Sequence, residues 1–119
     1  MILCDTGIIV ASIRENDNDH ARALDAVSRV RVSMVTTWPC LTEAFYLLGR
    51  SGQSALEKLF RQMEAGIFTL PPPTLNDALL AIAHMRTYAD TPMDFADASP
   101  GVAAESLGIT QILTLDSHF

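Results

Sequence analysis

The 119-residue sequence contains no apolar run long enough to span a bilayer, which excludes a transmembrane helix. No basic segment precedes its first apolar run, so no secretory signal is expected and the predicted location is the cytoplasm. Cysteine is scarce. Cys4 and Cys40 both lie among apolar neighbours, which predicts buried free thiols rather than a disulfide or a metal pair. The histidines His20, His84 and His118 show no metal-ligand spacing and are read as surface or helix positions. Positive charge is also scarce, with 8 Lys and Arg against 14 Asp and Glu, a net charge of -6. Arg14, Arg22, Arg50, Lys58, Arg61 and Arg86 are scattered and form no basic stripe, although a few can flank a cleft and touch phosphates. A field of this sign does not draw polyanions, so nucleic-acid chemistry here would need local basic groups or metal ions. With 49% hydrophobic and 18% charged residues, disorder is excluded. There is no internal repeat, low-complexity tract or linker, so one domain over 1–119 is expected.

What is present is an alternation of strand and helix signals. Residues 1–4 are an apolar run closed by Asp5-Thr6-Gly7, a buried strand ending in a turn, and a short helix follows over 8–13. Asp19 is placed to cap a helix over 20–28. Valine-rich alternation over 30–35 predicts the second strand. Pro39 suits the first turn of the next helix, which Gly49 stops, and a further helix spans 54–65. A third strand over 67–70 is cut off by Pro71-Pro72-Pro73. Thr74 caps a long apolar helix over 75–88, with Leu79, Ile82, Ala83 and Met85 on its apolar positions. Another helix runs to Leu107 and Gly108, followed by a last strand over 109–115. The expected class is α/β, a three-layer α/β/α arrangement with a short, mostly parallel sheet of about four strands.

The acids have a common destination in such a fold. Ligands bind outside the carboxyl ends of parallel strands. Asp5 ends the first strand, Asp116 the last, and Glu43 lies early in the helix after the second. In Pro92-Met93-Asp94-Phe95-Ala96-Asp97-Ala98 two carboxylates stand one helical turn apart. Asp94 divides evenly between a helix cap and an outer metal ligand. Several carboxylates at one edge repel one another unless a hard cation such as Mg2+ or Mn2+ sits among them. Each acid also has a purely structural reading. Asp5 is good turn chemistry, Glu43 an ordinary helix-surface acid, Asp97 a first-turn acid and Asp116 a strand end. Trp38 is read as a core or partner contact in preference to a base-stacking platform.

Four pieces in this order, Ile2-Leu3-Cys4-Asp5-Thr6, Thr42-Glu43-Ala44, the stretch from Pro92 to Ala98, and Thr114-Leu115-Asp116, resemble the PIN-domain ribonucleases, and within them the VapC-type toxins of bacterial toxin–antitoxin pairs. The resemblance implies a metal site of Asp5, Glu43, Asp97 and Asp116, with Asp94 as an additional acid and the hydroxyls of Thr6 and Thr114 orienting it. It implies Mg2+- or Mn2+-dependent hydrolysis of single-stranded or loop RNA leaving a 5′-phosphate, a homodimer, and a cognate antitoxin that blocks the cleft with a basic side chain. Two departures stand out. Pro100-Gly101 falls where the family continues an apolar helix, so either the helix is broken or Ser99 caps a new one starting at Pro100. The sequence ends at Phe119 before the family's usual final strand, which predicts a sheet one strand short. The alternative function is a non-catalytic or weakly active interaction domain on the same fold. A haloacid-dehalogenase-like phosphatase would need an acid where Gly7 stands, and a response-regulator receiver would need a lysine near the last strand.

Overall fold

The structure is a computed structural model that describes residues 1–91 and 93–115. Its elements follow the order β1 (Ile2–Cys4), α1 (Thr6–Ile13), α2 (His20–Ser28), β2 (Met34–Val35), α3 (Trp38–Gly49), α4 (Gln53–Glu64), β3 (Phe68–Thr69), α5 (Leu75–Thr87), α6 (Phe95–Leu107) and β4 (Ile112–Leu113). The four strands form one sheet in the order β3-β2-β1-β4, and each neighbouring pair is parallel. Ile2 pairs with Met34 and Leu3 with Val35 on one side of β1, while Leu3 pairs with Ile112 and Cys4 with Leu113 on the other. The chain therefore reverses its direction of travel across the sheet at β1, and the crevice at the carboxyl end of β1 is the natural ligand position of an open parallel sheet.

Strand alternation distributes the core to both faces. Cys4 joins Ile8, Ile9, Leu41, Leu48, Leu59 and Phe68 on the face covered by α1–α4. Its neighbour Leu3 points the other way, to Val35, Ala104 and Ile109 beneath α6. α1 carries apolar side chains nearly all round, and six of its eight residues are buried, as a helix enclosed by other helices requires. A smaller cluster of Ala81, Ala98 and Val102 joins α5 to α6.

Several elements differ from their sequence signals. β2 is confined to Met34–Val35 instead of spanning 30–35. β1 supplies partners for those two residues only, and Arg31, Val32 and Ser33 are exposed, so strand propensity there finds no ladder. β4 is shorter than 109–115, because Ile109 closes α6: its N–H reaches Ala104 O at 2.9 Å, with Gly108 in the left-handed region at φ 69°. α1 starts at Thr6, capped by Asp5, and α3 starts at Trp38, one residue ahead of Pro39. Gly49 is the last residue of α3 rather than its stop. Asp19 occupies the N-cap position of α2 without capping it; its carboxylate accepts Arg22 Nη2 at 2.8 Å.

α6 runs unbroken from Phe95 through Pro100 to Leu107, so neither a break nor a new helix at Pro100 occurs. Proline there deprives the Ala96 carbonyl of its helical donor. The Ser99 hydroxyl donates to that carbonyl at 2.9 Å, and the Cys40 thiol approaches it at 3.4 Å. A replaced donor explains how the helix accommodates the ring.

Candidate active site

Asp5 is fixed by the ends of two strands. Its backbone N–H reaches Leu113 O at 3.5 Å, its Oδ1 accepts the Ile8 N–H at 3.0 Å, and its Oδ2 accepts the hydroxyl of Thr114. The structural and functional readings of Asp5 thus coexist, since the same carboxylate that caps α1 stands on the crevice. Thr6 is buried and donates to Cys40 O at 3.2 Å, tying the start of α1 to the first turn of α3. That tie joins α1 to α3, the helix that carries Glu43.

A second link joins α3 to α6. Cys40 N–H donates to Thr37 Oγ1 at 3.2 Å, and the Thr37 and Ser99 hydroxyls lie 2.6 Å apart. Because Ser99 donates to Ala96 O, Thr37 is the donor in that pair. All of these groups are buried, so each needs its partner. The chain of bonds holds the amino ends of α3 and α6 side by side. At the start of α6, Asp94 N–H donates to Asp97 Oδ2 at 3.1 Å and Asp97 N–H to Asp94 Oδ1 at 2.8 Å, a reciprocal capping box.

Asp5, Thr6, Glu43 and Asp97 line one open cleft of about 450 Å³. Burial pushes the Glu43 carboxyl above the ordinary carboxylate range, the charges of Asp94 and Asp97 push it further, and the Thr6 hydroxyl acts in the opposite direction. Among the described residues, Asp5, Glu43 and Asp94 form no ion pair with lysine or arginine. Nor do three acids among those residues converge tightly enough to form a complete metal cage. The oxygen-only donors and the net upward push on the Glu43 carboxyl suit a hard divalent cation with several retained waters. Asp116, Pro92, His118 and Phe119 lie outside the described residues.

The cleft also contains Arg14, one of the cations read as able to flank a cleft, and two acids that carried no site signal. Arg14, Asp17 and Asp19 line its far side. Asp17 N–H bonds Arg14 O at 3.1 Å, and this turn after α1 brings the loop acids to the cleft. A run of Asn and Asp reads as loop chemistry, and nothing in its spacing marks that return. Trp38 is half exposed at 50% and faces a separate apolar groove with Pro71, Pro72, Pro73 and Phe95, so it belongs neither to the core nor to the acidic cleft. Cys4 and Cys40 are buried free thiols, as expected.

The family model described as PIN domain matches residues 2–119. Curated protein sequences give no match. Among solved structures, the fold is similar to that of Mycobacterium tuberculosis VapC20, a sarcin-ricin loop cleaving toxin, with a TM-score of 0.89 and 19% sequence identity over 99% of this chain and 92% of that one.

Proposed function

The chain belongs to the PIN-domain family, and from that premise we propose that it is a metal-dependent endoribonuclease, the toxin of a toxin–antitoxin pair. The observation that carries the proposal is the meeting of Asp5, Glu43 and Asp97 in one cleft at the carboxyl edge of a parallel sheet. Asp5, Asp97 and Asp116 would hold Mg2+ or Mn2+, with Glu43 close by and Asp94 as an outer ligand. Such an ion supplies charge neutralisation for the scissile phosphate and an activated water. The chain's own part is positional. Thr114 fixes one oxygen of Asp5 and the Ile8 N–H the other, so the Asp5 carboxylate is held in one orientation. Glu43, raised first by burial and then by Asp94 and Asp97, is suited to accept a proton from the attacking water.

The proposed substrate is loop or single-stranded RNA, cleaved to leave a 5′-phosphate. VapC20 acts on the sarcin-ricin loop, so that hairpin is the first substrate to test. A cognate antitoxin with a basic side chain would complement the cleft. Among the described residues no helix is long and apolar enough to cross a membrane, consistent with a cytoplasmic toxin. The proposed homodimer is supported by α5, where Leu75 and Leu79 are 75% and 54% exposed and Ile82 is exposed beside them.

Incubation of loop and unstructured RNAs with the protein in Mn2+, followed by end-group analysis, tests the reading. Cleavage should require the metal, leave 5′-phosphates, and fall to background in Asp97→Asn. Metal-independent cleavage, or an Asp97→Asn variant as active as wild type, would refute it.

A further inference from the structure

Beside the acidic cleft lies a larger groove of about 810 Å³ with the opposite charge. Arg14, Arg50 and Lys58 line it, with Glu15 as the one acid among the described residues. On a chain of net charge -6 this local excess of cations stands out. Arg14 and Leu47 line both the groove and the acidic cleft, so the two are continuous. We propose that this groove is a track for single-stranded RNA, in which Arg14, Arg50 and Lys58 bind backbone phosphates next to the scissile one and Tyr46 at the rim stacks on a base.

The three cations are differently prepared for that role. Arg14 is preorganised: its Nε donates to Ser51 Oγ at 2.9 Å and its Nη2 to Leu47 O at 3.1 Å, while its Nη1 keeps only a long pair with Asp17 Oδ2 at 3.8 Å that a phosphate must displace. Holding its fork in place reduces the ordering cost of binding. Arg50 forms no ion pair among the described residues and lies 6.0 Å above the Tyr46 ring centroid. Tyr46 is 66% exposed, and a solvent-exposed ring of this kind can stack on a base. Lys58 is held by Glu15 at 2.8 Å, but both are solvent-exposed, and a surface pair of this kind yields readily to a phosphate. A polyanion with planar bases uses every one of these groups, whereas an acidic peptide leaves the Tyr46 face without purpose.

This inference rests on the ribonuclease reading, but its test separates the two. The probe is a fluorescein-labelled oligouridylate, with binding followed by anisotropy across a salt series. The parent is Asp5→Asn, which cannot cleave if the reading holds and retains a good helix cap. Adding Arg50→Gln and Lys58→Gln should weaken binding at least tenfold at low salt. The slope of log affinity against log salt should become shallower by about 0.7 for each phosphate that is no longer neutralised. Tyr46→Ala should cost roughly tenfold more. Arg31→Gln removes an exposed cation outside the groove and should leave binding unchanged. Should the double variant fold poorly by circular dichroism, Arg50→Gln alone supplies the same comparison with half the change in slope. Unchanged RNA binding in the groove variants would overturn the proposal, as would an equal loss in Arg31→Gln. Loss of binding to an oligoglutamate probe with RNA affinity intact would assign the groove to a protein partner and overturn it too. If wild type fails to cleave RNA in Mn2+ while the groove effects persist, the track stands and the ribonuclease reading falls; the reverse pattern removes the track alone.

Discussion

Asp5 carries two loads that substitution can separate. Asparagine still accepts the Ile8 N–H, so Asp5→Asn should keep the stability of α1 while losing activity. Asp5→Ala should also lose the cap, at about 1 kcal/mol, and the bond from Thr114 to Asp5; urea denaturation reads the difference. Glu43 is perturbed in the unusual direction for a carboxylate. Its folded pKa lies above the unfolded value, so its ionised form opposes folding, a penalty that is absent below the ordinary carboxylate pKa and grows as pH rises through that value toward the raised one. Glu43→Gln should therefore melt higher than wild type at neutral pH without metal, and the gap should close in acid. Metal-free melts at the two pH values check this. Cys4, whose thiol is pushed up to about 12 chiefly by burial and then by the negative charge of Asp5, should resist thiol reagents at pH 8 until the protein is unfolded.

Three helix termini were well signalled by sequence because their chemistry is local, whereas Asp19 and Gly49 were not the cap and the stop they were read as. Thr74 caps α5 through the Asp77 N–H, Asp94 caps α6, and Gly108 closes it. Gly108→Ala should cost about 1 kcal/mol, since no atom lies within 4 Å of an added Cβ and the cost is the left-handed backbone alone. Strand limits were poorly signalled because they depend on partners distant in sequence. Valine alternation before Met34 says nothing about the three-residue length of β1, and Ile109 reads as strand although it completes a helix end. Pro100 misleads for the same reason: its accommodation depends on Ser99 and on Cys40, which lies 56 residues from Ala96. Ser99→Ala should destabilise by roughly 1–3 kcal/mol, because it strips a donor from Ala96 O and a partner from Thr37 in a buried setting. Denaturant unfolding measures it.

Over the molecule, the parallel α/β class followed from the order of elements, while the strand order β3-β2-β1-β4, which sets Asp5 between the neighbouring strand ends, did not. The Arg14-bearing loop was not legible, because its return to the cleft is a tertiary turn. Nor was the outward apolar surface of α5, since helical periodicity gives no sign of what a face will meet. If that surface joins two copies, light scattering should find a dimer in wild type and a monomer in Leu79→Arg. The central claim, that the cleft acids await a divalent cation, is tested most directly by melting the metal-free protein with and without Mn2+. Bound at a hundredfold excess over its Kd, Mn2+ should add about 2.7 kcal/mol and raise Tm on the order of 10 °C, an effect much reduced in Asp97→Asn. An identical melt with and without the ion in wild type, or an equal shift in Asp97→Asn, would contradict it.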